Sequence, residues 1–189
     1  ALANSVNTVS AKIMDRVGPK SVINMAKDLG VTSEIPPQPA IALGAVDITV
    51  EQMVGAFSTF ANKGVYIKPT FVTRIEDKNG IVLEQIIPES KDVMNQDVAY
   101  AIVKLLEGVT QSGTGQRLSW GGVNGLTQYD YRFSNPIAGK TGTSQNNSDG
   151  WFMGMVPNLA TGIWVGNDDR SAHFRQTLYG QGATMALPI

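Results

Sequence analysis

"GKTGTSQNNSDGWFMG", residues 139–154, sets a cation, hydroxyls and glycines directly after the apolar Ile137 and Ala138. Read as a strand, Ile137 to Ser144 points Lys140 to one face of a sheet, and Gly142, two positions on, leaves that same face bare. Trp151 to Val156 and Thr161 to Val165 read as two further strands joined by a short turn at Pro157 and Asn158. The Lys140 to Thr143 strand is expected to run antiparallel to the one beginning at Trp151. Between them "SQNNSDG" has little apolar surface to bury and is expected as a mobile loop at the mouth of a site.

Upstream of this meander the pattern is mostly helical. Val6, Val9, Ile13, Met14 and Val17 recur at helical spacing up to Gly18. Pro19 suits the first turn of a second helix carrying Val22, Ile23, Met25, Ala26 and Leu29 before Gly30. "SEIPPQPA" reads as an extended loop. Thr49 with Gln52 predicts a capping box, and Val50, Met53, Val54, Phe57 and Phe60 continue a helical stripe. "VYIKPTFVTRIED" and "IVLEQII" flank "KNG", a hairpin signal. Asn95 is expected to cap a helix whose Val98, Ala101, Ile102, Leu105, Leu106 and Val109 face inward, until the glycines of "TQSGTGQR" break it. Helices first and an antiparallel meander last indicate an α+β fold, an antiparallel β-sheet flanked by helices.

Composition narrows the chemistry. The 189 residues are about one domain long, enough to bury roughly 70% of the unfolded surface. A net charge of −1 offers no bulk attraction to nucleic acid or to a membrane, so charge recognition has to be local. The absence of cysteine excludes disulfides, thiolate catalysis and thiolate metal sites. His173, the single histidine, lies in the polar run "DDRSAHFRQ" without ligand-spaced company and reads as a solvated loop residue. No apolar run reaches the roughly 18 to 20 residues that cross a bilayer. No organic cofactor or metal is implied.

On the strand, the Lys140 ammonium could pair with a ligand carboxylate, the hydroxyl of Thr141 or Thr143 could bond it, and a backbone N–H beyond Gly142 could face a developing oxyanion. The bland alternative is an edge strand blunted by Lys and Gly against aggregation. The string Lys-Thr-Gly-[Ser/Thr] arises by chance about once in two hundred chains of this size. It is one of three elements found together in serine β-lactamases and penicillin-binding proteins, beside Ser-x-x-Lys and Ser-x-Asn.

"PIAGKTGTSQNNSDGWFMGMVPNLATGIWVGND", "IALGAVDITVEQMVGAFSTFANKGVYIKP" and "VMNQDVAYAIVKLLEGVTQSGTGQR" resemble the transpeptidase domain of class A penicillin-binding proteins over most of the chain. The resemblance makes Ser5-Val6-Asn7 the Ser-x-Asn element. Ser144-Gln145-Asn146 also fits the pattern, but in that family the element precedes Lys-Thr-Gly by well over a hundred residues, and Lys140 follows Ser5 by 135. A Ser hydroxyl and an Asn amide suit a proton relay and a hydrogen bond to a substrate amide. Helix capping by Asn4, Ser5 or Asn7 is the bland alternative. The implied site is therefore Ser5, Asn7 and Lys140 as catalytic residues and Thr141, Gly142 and Thr143 as substrate-binding ones.

One departure matters. No serine here has Lys three residues later, and Ser10-Ala11-Lys12 has the wrong spacing for one helical face. The nucleophile of the family is thus expected upstream of residues 1–189, which read as the C-terminal portion of one domain with an incomplete fold. "ATMALPI" stands where the family continues into a closing helix. The resemblance implies a peptidoglycan D,D-transpeptidase acting on D-Ala-D-Ala stem peptides, bound by β-lactams and located on the periplasmic face of the bacterial inner membrane. Its membrane contact is expected through a segment outside this chain, and the fragment alone is expected to be inactive. A serine β-lactamase, a penicillin sensor and an inactive wall-peptide-binding module share the fold and stay open. Upstream sequence separates them: a glycosyltransferase domain would select the transpeptidase.

Overall fold

Glycine and proline set the first boundaries. In the computed structural model, which describes residues 1–120 and 133–189, helix α1 (Asn7–Val17) stops at Gly18, whose φ of 75° suits a residue without Cβ. Pro19 then opens α2 (Pro19–Asp28). The stripe expected to bury along α1 does so only at Met14, while Ile13 and Val17 stay about half exposed, at 53% and 48%. Periodicity marks a face able to bury, but a partner has to cover it. Among the described residues α1 lies against α2 and a short 3-10 turn at Pro39–Leu43.

Thr49 caps α3 (Val50–Ala61), its Oγ1 accepting from Gln52 N at 3.2 Å. The other half of the expected box does not form. Gln52 Nε2 donates to Thr32 Oγ1 at 3.0 Å and its Oε1 accepts from Ser33 N at 3.3 Å, so the side chain ties the helix to the start of the proline-rich loop. Thr49→Ala is expected to cost about 1 kcal/mol, the usual worth of a threonine cap, seen as a lower urea midpoint at unchanged slope.

The single hairpin expected after α3 is two separate ladders. β1 (Val65–Ile67) pairs with β4 (Ser90–Asp92), and β2 (Arg74–Glu76) with β3 (Val82–Gln85) across the Asn79-Gly80 turn. Pro69 interrupts the first run because it has no N–H to give a ladder. α4 (Gln96–Ser112) follows Asn95, whose side chain forms no cap bond. Its buried positions are Ala99, Leu106, Val109 and Thr110, whereas Val98 and Leu105 face outward at 49% and 59% exposure. Ile102, Leu106 and Val109 turn inward as expected, while Val98, Ala101 and Leu105 give way to Ala99, Val103 and Thr110 one stripe over, a shift that an apolar run this continuous permits.

The meander matches its sequence reading. β5 (Ala138–Thr143), β6 (Asp149–Val156) and β7 (Leu159–Gly166) form one antiparallel sheet in that order. Ala138 and Met155 on one face pack with Leu106 of α4 and with Phe57 and Phe60 of α3. The other face carries Phe152, Ile163 and Val165, packed with Leu118 of the short helix α5 (Arg117–Trp120) and with Ala186 and Leu187. Those last two follow the single-turn helices α6 (Thr177–Gly180) and α7 (Gly182–Met185). Helices thus cover both faces of the sheet.

"SQNNSDG" corrects the sequence reading. It is a tight turn, with Ser148, Asp149 and Gly150 buried and the last two already in β6. Ser144 Oγ bonds Ser148 Oγ at 2.9 Å and accepts from Asp149 N at 3.0 Å, and Asn146 and Asn147 take the left-handed conformation at φ 61° and 57°. A segment without apolar surface can still be fixed when its hydroxyls satisfy its own backbone.

Candidate active site

Lys140 leaves β5 half-buried, and its Nζ donates to Ser5 Oγ and, at 2.8 Å, to the carbonyl of Thr141. It has no ion-pair partner among the described residues. Burial pushes its pKa below the ordinary 10.5, because taking an ammonium out of water is costly. An edge strand blunted by lysine would leave that ammonium in water; here it turns inward.

Two elements far apart in sequence supply this contact. Ser5 holds a φ of 52°, rare for a residue with a Cβ, in a turn closed by Ser5 N donating to Leu2 O at 3.1 Å. It does not cap α1: the N-cap position is Val6, without a side-chain cap bond. Asn7 opens α1 exposed, with no side-chain hydrogen bond among the described residues. The structure therefore joins Ser5 to Lys140 and leaves the Asn7 amide free to bond.

Strand alternation sends Thr141 and Thr143 to the side of the sheet opposite Lys140. Thr141 is buried with its Oγ1 2.6 Å from Thr114 Oγ1, and Thr143 Oγ1 accepts from Gly182 N at 3.0 Å. Accepting that bond leaves the Thr143 hydroxyl its proton to donate. Thr143→Val is expected to weaken a ligand that accepts from this hydroxyl only about fivefold, near 1 kcal/mol, since one neutral hydroxyl bond is lost and the backbone N–H remains. A binding titration with a peptide ending in a carboxylate measures it.

A groove of ≈ 1020 Å³ opens beside the strand, lined by Lys140, Gly142, Trp151 and Trp164 on the sheet and by Met53 and Phe57 of α3 opposite. Gly142 faces Trp151 across the ladder, and a Cβ there would lie 3.1 Å from Trp151 Cβ, so the glycine makes room for the indole rather than leaving the face empty. Among the described residues β5 pairs only with β6, so its outer edge has backbone groups to offer an extended ligand. No cluster of His, Cys, Asp or Glu placed to hold a metal occurs among the described residues. His173 is exposed, its Nδ1 3.2 Å from Phe174 O.

Sequence reasoning missed Thr114 and Gly182, which hold the two strand hydroxyls. The signal for Thr114 was its place between two glycines in "TQSGTGQR", read only as a helix break. For Gly182 the cue is geometric: a Cβ there would come within 2.1 Å of Gly142 O.

Residues 1–176 match a family model described as the penicillin binding protein transpeptidase domain. Penicillin-binding protein 1A of Aquifex aeolicus is 35% identical over 189 residues, covering 100% of this chain and 24% of that protein. Among solved structures, penicillin-binding protein 1A from Haemophilus influenzae superposes with a TM-score of 0.83 at 20% identity, over 99% of this chain and 32% of that one. Penicillin-binding protein A from M. tuberculosis, solved as an imipenem acyl-enzyme complex, superposes at 0.73 with 21% identity, over 100% of this chain and 45% of that one. The chain spans about a quarter of the length of the curated relatives it matches.

Proposed function

Because this chain belongs to the penicillin-binding protein transpeptidase domain family, we propose that residues 1–189 are the C-terminal portion of a peptidoglycan D,D-transpeptidase domain whose nucleophilic serine lies in a preceding segment. The observation that carries this reading is the half-buried Lys140 ammonium, which touches Ser5 and has no carboxylate partner among the described residues. An extended peptide ending in a carboxylate would supply the missing counter-charge.

In that reaction the stem peptide lies along the free edge of β5 with its terminal carboxylate on Lys140. The upstream serine gives its proton to the lysine of its own Ser-x-x-Lys as its oxygen attacks the carbonyl of the D-Ala-D-Ala bond, and the N–H of Thr143 bonds the developing oxyanion. Ser5 passes a proton to the departing D-Ala amine, and Asn7 holds the substrate amide. The acyl group then moves to the amine of a neighbouring stem, freeing the serine. β-Lactams, as mimics of D-Ala-D-Ala, acylate the same serine; the imipenem acyl-enzyme of the M. tuberculosis relative supports this. The reading places the domain on the periplasmic face of the bacterial inner membrane, with its anchor outside these residues.

The test uses the chain joined to a segment bearing Ser-x-x-Lys. Given a pentapeptide stem and an amine acceptor, it should release D-Ala and form the cross-linked product. A β-lactamase would turn over penicillin without releasing D-Ala from the stem, and a sensor would be acylated without either turnover; each result would displace the proposal.

A further inference from the structure

Thr114 touches both walls of the site. Its Oγ1 lies 2.6 Å from Thr141 Oγ1, and its backbone N–H donates to Ala3 O at 3.0 Å. Ala3 is two residues before Ser5, and Thr141 is one after Lys140. Since Lys140 Nζ donates to Ser5 Oγ, the contacts close a ring: Thr114 to Ala3, along the backbone to Ser5, across to Lys140, along the strand to Thr141, and back to Thr114. Resting on the proposed function above, we infer that Thr114 is a positioning residue that fixes the Ser5 turn relative to the Lys140 strand, setting the reach of the Lys140–Ser5 contact without touching substrate.

The turn carrying Thr114 is built for this. Gly115 N donates to Val109 O at 2.9 Å, which folds the chain back over the end of α4, and Gly113 lies so close to Ala3 that a Cβ would fall 2.2 Å from its carbonyl oxygen. Only a residue without Cβ admits the Ala3 carbonyl to the Thr114 N–H. One turn below, Thr110 Oγ1 donates to Ile137 O at 2.5 Å, anchoring the same helix to the residue that precedes β5. The end of α4 is therefore a fixed base to which both walls attach. Ser5 gains most from such a base, because its left-handed φ of 52° is a conformation that its surroundings have to enforce.

Placement errors of about 1 Å cost on the order of a hundredfold in rate, so loosening the ring should act on the acylation step rather than on initial binding. Thr114→Val keeps the shape and the backbone N–H but removes the hydroxyl. In the intact protein it should lower the first-order acylation rate by a fluorescent penicillin about ten- to a hundredfold, with the pre-covalent dissociation constant changed less than about threefold. Thr114→Ser, which restores the hydroxyl, should recover the rate to within about threefold. Hydrogen exchange supplies a readout independent of activity: amides of residues 3–7 and 139–143 should exchange faster in Thr114→Val and at the wild-type rate in Thr114→Ser. If Thr114→Val does not fold, the Thr114→Val/Thr141→Val pair replaces it, since that pair leaves no hydroxyl unpartnered. Wild-type protein that is never acylated, together with exchange that responds as stated, would sink the transpeptidase reading and keep the positioning role. Exchange at both walls unchanged by loss of the hydroxyl overturns the inference, whatever the acylation rates.

Discussion

Mixed with a fluorescent penicillin, the 189-residue chain alone is expected to form no covalent adduct, the largest effect that follows from this site. Acyl transfer needs a serine whose proton has somewhere to go, and no serine here is followed by lysine at the third position. Among the described residues Ser5 is the one serine hydrogen-bonded to a lysine, yet the geometry works against it. Lys140 directs N–H groups at Ser5 Oγ and at Thr141 O. An ammonium donating to the hydroxyl oxygen draws density from the nucleophile instead of taking its proton. The same arrangement suits a relay, in which Ser5 gives its own proton to a leaving amine and is replenished from Lys140. Joining the chain to a segment bearing Ser-x-x-Lys should restore labelling, at a serine in the added segment. Intact-mass and peptide-mapping spectrometry decide the matter, and stoichiometric acylation of the isolated chain at Ser5 or any other serine would show that the nucleophile is within residues 1–189.

The sheet and the site strand were legible because short-range chemistry fixes them. Alternation, the Pro157-Asn158 turn and the Lys140-Thr141-Gly142 string each act over a few residues. The resemblance then joined Ser5 to Lys140 across 135 positions, a link that no periodicity carries. What stayed hidden depended on partners. The α1 stripe predicts burial that only a covering element can deliver, and part of the α4 stripe shifted because Ala99 and Val103 are as apolar as Val98 and Ala101. "SQNNSDG" misled for the opposite reason: its polar side chains satisfy their own backbone and need no core. Thr114 and Gly182 were invisible because their value lies in what they touch, the Thr141 and Thr143 hydroxyls, and not in their neighbours in sequence.

In the complete domain, Lys140→Ala is expected to slow acylation by β-lactams about 30- to 150-fold, the equivalent of about 2 to 3 kcal/mol for a charge-assisted carboxylate contact. The loss should exceed that of Thr143→Val because an ammonium without a counter-charge among the described residues meets the ligand carboxylate in a partly desolvated groove, where the pair is screened less than at the surface. Alanine also removes the donor to Ser5, so the proton relay loses its source in the same variant. pH separates the two roles of charge and shape. Burial holds the Lys140 pKa below 10.5, so the ammonium, and with it the carboxylate contact, is present at low pH and lost as pH rises through that lowered value. Fold stability responds with the opposite sign. The unfolded chain binds the proton more tightly than the folded one, so the cost of burying the charge is felt below the folded pKa and relieved as pH climbs from there toward 10.5. Acylation rate should therefore fall on its alkaline side while this one contribution to stability improves. Lys140→Arg keeps its charge throughout that range and should flatten the alkaline limb even if its longer side chain lowers the overall rate. An alkaline limb that persists unchanged in Lys140→Arg, or a Lys140→Ala rate equal to wild type, would take Lys140 out of carboxylate recognition and leave it as a structural contact of Ser5.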